Sequence, residues 1–448
     1  VGFETLVARR WLTGALGASA VIGGFAVVSA WRAGPTLAIE PPAAIAPAIA
    51  KVDAHAALSA IDTSIAQLNA RVATPYGDMI DREKLASSYL GRFRLTGDWA
   101  DLVEARRQAD AGFALLGGKH GPFLVRATVA MSAHRIAAAE ADVARVDRFV
   151  VPELETRSEA LALHGDIALV RGDFAGAEGW FAKAAVLQKW PGLYWRLGNL
   201  AAMRGQFDLA DRYFRAADGL NRSPTPSFRA DALLRLGELK LGQGRWPEAA
   251  GLFAEANRIF PGWWRAEMRV AQMRALNGDV AGAIAAFEGI ATRTHAPEAM
   301  DILAGLYRSR GDGGKARDWA ARAGEAWAAR TTMLPEAAWA HVVEHELSFG
   351  SPARALELAQ RNVANRPYPP SQILLAKALV ANGNVDGAMA ALDRAERQGF
   401  VSVDLYLTRA EALAGKGDGD GVAAAQARAL AINPHALDRN PSFAWLDH

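Results

Sequence analysis

The 448 residues carry 50 Lys and Arg against 48 Asp and Glu, a net charge of +2, so no basic field exists that would hold a nucleic-acid backbone. The absence of cysteine excludes disulfides, thiolate nucleophiles and cysteine-based zinc sites, and it leaves the redox compartment open. The hydrophobic fraction of 51% is ample for a core, and the length exceeds one compact domain, although a solenoid can run this far without a boundary.

Residues 12–31 (LTGALGASAVIGGFAVVSAW) hold no charge over a length that suffices to span a bilayer, with Trp11 and Trp31 at the ends where interfacial aromatics belong. Arg9 and Arg10 precede the run and Arg32 follows it, which orients the N-terminus toward the cytoplasm. Two other readings stand beside a retained anchor: a secretory signal cleaved after Val28-Ser29-Ala30, and a twin-arginine signal built on Arg9-Arg10. All three place the remainder outside the cytoplasm. Residues 1–32 are thus an N-terminal anchor or signal, and 33–51, with prolines at 35, 41, 42 and 47, form a Pro/Ala-rich linker. Within 52–78, Ile61, Ile65, Leu68 and Val72 mark one face of a helix, and Thr74-Pro75-Tyr76-Gly77 breaks it.

Beyond this point a single unit recurs. In Arg229 to Gly262, Leu233, Leu236 and Gly237 share one helix face, and Ala249, Phe253 and Ala256 share another. Gly244 between them suits the left-handed residue that ends a helix, and Pro261 closes the unit. Equivalent glycines stand at 172, 205, 244, 278, 311, 350, 383 and 417, with spacings of 33, 39, 34, 33, 39, 33 and 34. The loop Asn221 to Ser227 accounts for one long gap, and a second helix extended through Gly324 to Pro335 accounts for the other. Asp173, Asp279, Asp312, Asp418, Asn384 and Ser351 follow the glycines as helix caps. Phe181, Phe214, Phe253, Phe287 and Leu392 recur in the second helix, each four after Ala177, Ala210, Ala249, Ala283 or Ala388.

This order of residues resembles the tetratricopeptide repeat. The resemblance runs from about Ser158 to Pro434 and reaches back to about Asp81, where Gly97-Asp98-Trp99 is another turn and Phe123 to Val151 leaves room for one degenerate repeat. It implies an all-α, right-handed superhelical solenoid of nine or ten tetratricopeptide-type helical hairpins behind an N-terminal transmembrane helix. Residues 79–157 are its degenerate helical repeats, 158–434 its tetratricopeptide repeats, and 435–448 a C-terminal cap that covers the last apolar end with Phe443, Trp445 and Leu446. One hairpin cannot bury its own apolar stripe, so each needs a neighbour.

The resemblance also implies a partner-binding groove lined by the first helix of each hairpin. Its inward residues are then Trp195, Asn199, Met203, Glu238, Met268, Gln272, Asp301 and Arg308. Packing between hairpins is the competing role for Trp195 and Met268, and a core position is the reading for Trp263-Trp264. Some family members hold a C-terminal carboxylate with a Lys/Asn clamp; only Asn199 matches it here. The sharpest enzymatic pattern is His341-Val342-Val343-Glu344-His345, which has the order of the inverted zinc proteases. It interrupts a run of repeats, so these residues read as polar positions on a first helix. Gly415 to Gly421 lacks the third ligand and closing glutamate of a calcium loop, and Gly117-Gly118-Lys119 lacks the frame of a phosphate loop. The chain therefore reads as a non-enzymatic protein–protein interaction scaffold on the outer face of the inner membrane. It takes a protein or peptide of an envelope assembly and needs no cofactor, metal or nucleic acid. A zinc-dependent hydrolase and a structural spacer whose groove is filled by its own linker are the alternatives.

Overall fold

A helical hairpin needs a residue at its tip that turns the chain back through positive φ, and glycine does so without a side-chain penalty. In the computed structural model, which describes residues 39, 41, 52–118, 120–149, 152–221 and 225–438, the recurring glycines fill that role. Gly97, Gly172, Gly205, Gly244, Gly278, Gly311, Gly383 and Gly417 have φ between 72 and 88°. The described residues form a leading helix, α1 (Ala54–Val72), and ten hairpins. Hairpins 1 to 3 are α2 (Met79–Thr96) with α3 (Trp99–Leu115), α4 (Phe123–Ser132) with α5 (Ile136–Val146), and α6 (Leu154–Val170) with α7 (Phe174–Leu187). Hairpins 4 to 6 are α8 (Pro191–Met203) with α9 (Phe207–Leu220), α10 (Pro226–Gly242) with α11 (Trp246–Ile259), and α12 (Trp264–Leu276) with α13 (Val280–Thr294). Hairpins 7 and 8 are α14 (Pro297–Ser309) with α15 (Gly313–Met333), and α16 (Pro335–Phe349) with α17 (Pro352–Asn365). Hairpins 9 and 10 are α18 (Pro369–Ala381) with α19 (Val385–Arg397), and α20 (Val403–Gly415) with α21 (Gly419–Ile432).

The local chemistry repeats with the helices. All six expected caps accept a backbone N–H at the third position beyond them, as in Asp173 from Gly176 and Ser351 from Arg354. Each such cap contributes about 1 kcal/mol. The five recurring alanines are fully buried, and so, to within a few per cent, are Phe181, Phe214, Phe253, Phe287 and Leu392. In three hairpins a glycine of the first helix makes room for the phenylalanine of the second. A Cβ on Gly165, Gly198 or Gly237 would fall within 2.5 Å of the ring of Phe181, Phe214 or Phe253.

Two tips depart from the sequence expectation. Gly350 is not left-handed: its φ is −122°, and the Glu346 carboxylate turns the chain by accepting the N–H of Ser351 at 2.8 Å. Glycine serves there for close approach, since a Cβ would lie 2.0 Å from Glu346 Oε2. The degenerate repeat, conversely, has no glycine at its tip. His134 adopts φ 55° instead, one of two non-glycine residues at positive φ among the described residues. The expected anchor at 12–31, most of the linker, and the tail at 440–448 lie outside the described residues. Among the described residues no helix is long and apolar enough to cross a membrane.

The hairpins stack in order, and the stack then coils onto itself. Gly97 of hairpin 1 seats on the ring of Trp264 in hairpin 6, and Trp99 meets Trp327 of hairpin 7 edge to face at 6.5 Å. His134 of hairpin 2 is held by hairpin 8, its carbonyl taking the Asn365 amide N–H at 2.7 Å. Gly172 lies against Pro367 and Gln398, and the Val401 N–H donates to the Met203 carbonyl at 2.9 Å. Gly244 meets Asn433 and Pro434 beyond hairpin 10, while Trp246 stacks on His435 at 4.0 Å. Each hairpin of the first half thus touches the one five or six places later. Two coils of a superhelix are stacked through their tips.

This divides the glycine tips into two kinds. A Cβ on Gly97, Gly172, Gly205 or Gly244 would meet a residue of the other coil at 2.1 to 2.9 Å, whereas Gly278, Gly311, Gly383 and Gly417 have nothing within 4 Å. Gly278→Ala is therefore expected to cost only the backbone term, about 1 kcal/mol. Gly244→Ala should cost clearly more, and Phe253→Ala about 3–5 kcal/mol. Denaturant unfolding of the three variants checks the order. Equal losses at Gly244 and Gly278 would mean that the coils do not bear on each other in solution.

Candidate functional site: a chamber inside the coil

First helices line the inner side of the coil, and hairpins 1 and 2 close over them. The result is a chamber of about 640 Å³ that stays partly open to solvent. Its wall comes from α10 (Asp231, Leu234, Arg235, Glu238), α12 (Trp264, Arg265, Met268, Arg269, Gln272), α14 (Glu298, Asp301, Ile302) and α16 (Ala337, His341, Glu344, His345, Leu347). Trp327 of α15 and Lys377 of α18 complete that side; Phe93, Gly97, Trp99, Leu102, Ser132 and His134 form the opposite one. A volume of this size falls within the range of ligand sites.

Ten stacked hairpins, glycine tips, capping aspartates and paired alanine and phenylalanine positions together fix the architecture. These are tetratricopeptide-type repeats. No family model and no curated protein matches the chain. Among solved structures it is similar to a Rap protein complexed with competence and sporulation factor, at 13% identity over 70% of this chain and 97% of that one, TM-score 0.43. It is similar to yeast Tom70 at 12% identity over 83% and 93%, TM-score 0.34. A third likeness is to a thermophilic tetratricopeptide repeat protein of Thermus thermophilus, at 21% identity over 41% and 99%, TM-score 0.35. All three superpose loosely, and the repeat geometry itself carries the assignment.

The residues expected in the groove fall into three groups. Glu238, Met268, Gln272 and Asp301 line the chamber. Glu238 pairs with Arg269 at 2.7 Å, and Arg269 also donates to Gln272 Oε1 at 3.0 Å. Asp301 accepts the Trp327 indole N–H at 2.8 Å on one oxygen and meets His345 Nδ1 at 2.7 Å on the other. Arg308 lies outside the wall, donating to the Ser348 carbonyl at 2.7 Å with its guanidinium over Phe349. Trp195, Asn199 and Met203 also stand outside the chamber wall. Trp195 stacks flat on Phe228 at 4.7 Å beneath Arg235, and its indole nitrogen is buried without a partner. Packing claims this ring. Trp195→Ala is therefore expected to lower the unfolding midpoint by the equivalent of about 3 kcal/mol; an unchanged midpoint would show the ring to be dispensable to the fold.

Sequence reasoning missed the aromatic half of the wall. Trp264 reads as core and is indeed buried, but it also faces the chamber, and Trp99 and Trp327 reach it only because the coil closes. The three residues of the His-x-x-Glu-His pattern all line the chamber as well, engaged differently from a metal site. His341 stacks on Trp327 at 5.1 Å, and His345 is committed to Asp301. No group of three or more His, Asp or Glu among the described residues has the arrangement to hold a metal ion. Of the linker, Ile39 is half-buried and its carbonyl accepts the Tyr213 hydroxyl on α9, away from the chamber wall.

The electrostatics follow from depth. Glu344 keeps some surface open to the chamber but sits far inside the protein, and burial pushes its carboxyl up to about 7 against the pull of His341 and Lys377. Burial works the same way on Glu298, but Arg330 at 2.7 Å and His341 outweigh it, leaving a carboxylate below the usual range. Burial lowers His345, and the bond to Asp301 more than reverses it. His134 is driven to about 3 by burial and by Arg366, whose Nη1 donates to Nε2 at 3.1 Å while Nδ1–H faces the Glu336 carbonyl at 3.3 Å. It is a neutral ring. For Glu344 the fold favours the protonated form, so stability is lost as pH rises from the unfolded value of 4.5 through about 7, on the order of 3 kcal/mol in all. His345, raised in the fold, loses its contribution in the same direction. His134, lowered to about 3, acts with the opposite sign below its unfolded value of 6.5, so the test is the difference: from pH 5 to 8 the midpoint of Glu344→Gln should rise relative to that of the unaltered chain. A slope unchanged in the variant would assign the loss to other groups.

Proposed function

We propose that the chain is a non-enzymatic scaffold whose chamber takes a segment of a partner protein. The single observation behind this reading is a ligand-sized chamber of about 640 Å³ on the inner face of the coil, walled mainly by first helices that contribute polar groups, with aromatic rings from Phe93, Trp99, Trp264, Trp327 and Phe349. The repeat architecture supports protein or peptide recognition as the use of that face. The uncharged run at 12–31 supports a membrane location with the repeats on the outer face of the inner membrane, in an envelope assembly.

Cross-linking in intact membranes tests it. A photoreactive residue in place of Met268, on the chamber wall, should trap one partner. The same group in place of Val186, 85% exposed and not part of that wall, should not. Adducts formed at Val186 and absent at Met268 would overturn the chamber as the binding face. Recovery of the adduct in the soluble fraction would overturn the anchor.

A further inference from the structure

The junction that closes the chamber is built around a ring that cannot take a proton without losing its bonds. His134, at the tip of hairpin 2, lines the chamber, and hairpin 8 occupies both of its ring nitrogens. Arg366 Nη1 can only donate, so Nε2 is an acceptor; the Glu336 carbonyl can only accept, so Nδ1 carries the hydrogen. Two partners from the other coil thus fix one tautomer of a neutral imidazole. A second proton would have to sit on Nε2, donor against donor, and would place a cation beside the guanidinium. That guanidinium is itself uncompensated. Arg366 is 5% exposed, forms no ion pair among the described residues, and gives its Nη2 to the neutral Asn362 Oδ1 at 3.1 Å. The other ionisable groups around the ring are His341 and the Glu336 carboxylate on α16, Tyr368 beneath Arg366, and Arg135 of the tip itself, which pairs with Glu336 at 3.7 Å.

Resting on the reading of the chamber as the binding face, we propose that the His134 junction is its gate, opened by acid: a proton on Nε2 parts hairpin 2 from hairpin 8 and admits an extended segment of the partner. Ser132 and His134 belong to the side of the chamber that lies across the first helices, so withdrawal of this tip widens the mouth. The sign and size follow from linkage. His134 ionises at about 3 in the closed junction and at 6.5 once it meets water. The ratio of open to closed junction is therefore level above about pH 7 and climbs below it, roughly thirtyfold from pH 8 to pH 5. Glu344, on the opposite wall, responds to pH in the other sense, so the decisive comparison alters His134 alone.

The chain has no cysteine, so a single introduced thiol reports the opening without a partner present. Ala133, beside the ring, is 4% exposed, and Ala210, in the core of hairpin 4, is fully buried. Each is replaced by cysteine in the intact chain, and unfolding midpoints are measured alongside to show that the fold survives. The rate of reaction with dithiodipyridine is divided at every pH by that of the same thiol in the urea-unfolded chain. Ala133→Cys should be at least about tenfold less protected than Ala210→Cys, because the junction parts before the whole chain unfolds. Its protection should fall roughly thirtyfold from pH 8 to pH 5. His134→Asn tolerates the left-handed tip and cannot take the proton, so it should abolish that fall. Arg366→Gln offers an amide oxygen to a protonated ring and should reduce it. Equal protection of the two thiols at every pH, or a fall that persists in His134→Asn, overturns the gate. With the photoreactive group at Met268, the adduct should form more readily at pH 5 than at pH 8, and His134→Asn should remove the difference. A yield that varies alike in both chains, while the thiol reports opening, overturns the gate as the partner's entry and leaves the chamber as the binding face. Adducts at Val186 and none at Met268, with the junction opening as stated, overturn the chamber instead.

Discussion

A hairpin tip without a side chain is the constraint on which this structure depends. Positive φ demands glycine for the turn, and the same missing Cβ lets a second coil approach within contact distance. Four glycine tips of the first half, at 97, 172, 205 and 244, satisfy both demands together. Four later ones satisfy only the first, because no further coil follows them. Where glycine is replaced, the contact changes character. His134 brings an imidazole to the junction, and hairpin 8 surrounds it with a carbonyl, an amide and a guanidinium, so that hydrogen bonds replace close packing.

Closure of the coil also explains the wall of the chamber. Repeats alone give an open concave face built from one helix of each hairpin. Here hairpins 1 and 2 lie across that face and bring Phe93, Trp99 and His134 against residues far later in the chain. Trp327 stands at the centre of this arrangement. It donates to Asp301, stacks on His341, meets Trp99 edge to face and shares Arg330 with it. Position 327 lies in the extended second helix of hairpin 7, the 21-residue α15. The added length carries this ring to the inner side.

Much of this is legible in the sequence because it is local. Glycine spacing, caps and the alanine–phenylalanine pairs are short-range signals, and the helices follow them. The failures are equally instructive. Gly350 sits at the right spacing but turns by another device, since Glu346 supplies the acceptor that a left-handed glycine would otherwise make unnecessary. The tip at 134 escapes because a search for glycine cannot find histidine. Family position places Trp195 and Asn199 in the groove, but it cannot register that Phe228 rises to cover the ring. Above all, no local pattern reports that Gly97 meets Trp264 or that Trp99 meets Trp327. Those contacts depend on the accumulated rotation of five or six hairpins, to which each step adds little.

The junction at His134 has a consequence for how the molecule is made. An ordinary repeat array acquires structure one neighbour at a time, so each hairpin can settle soon after it leaves the ribosome. The carbonyl of His134 and the amide of Asn365 are 231 residues apart in sequence. At typical rates of synthesis the second arrives roughly ten to fifty seconds after the first. During that interval hairpins 1 to 5 hold their tips, and one face of the chamber, open to solvent. The chamber is therefore among the last features to form, and its completion registers that hairpins 6 to 8 have been made.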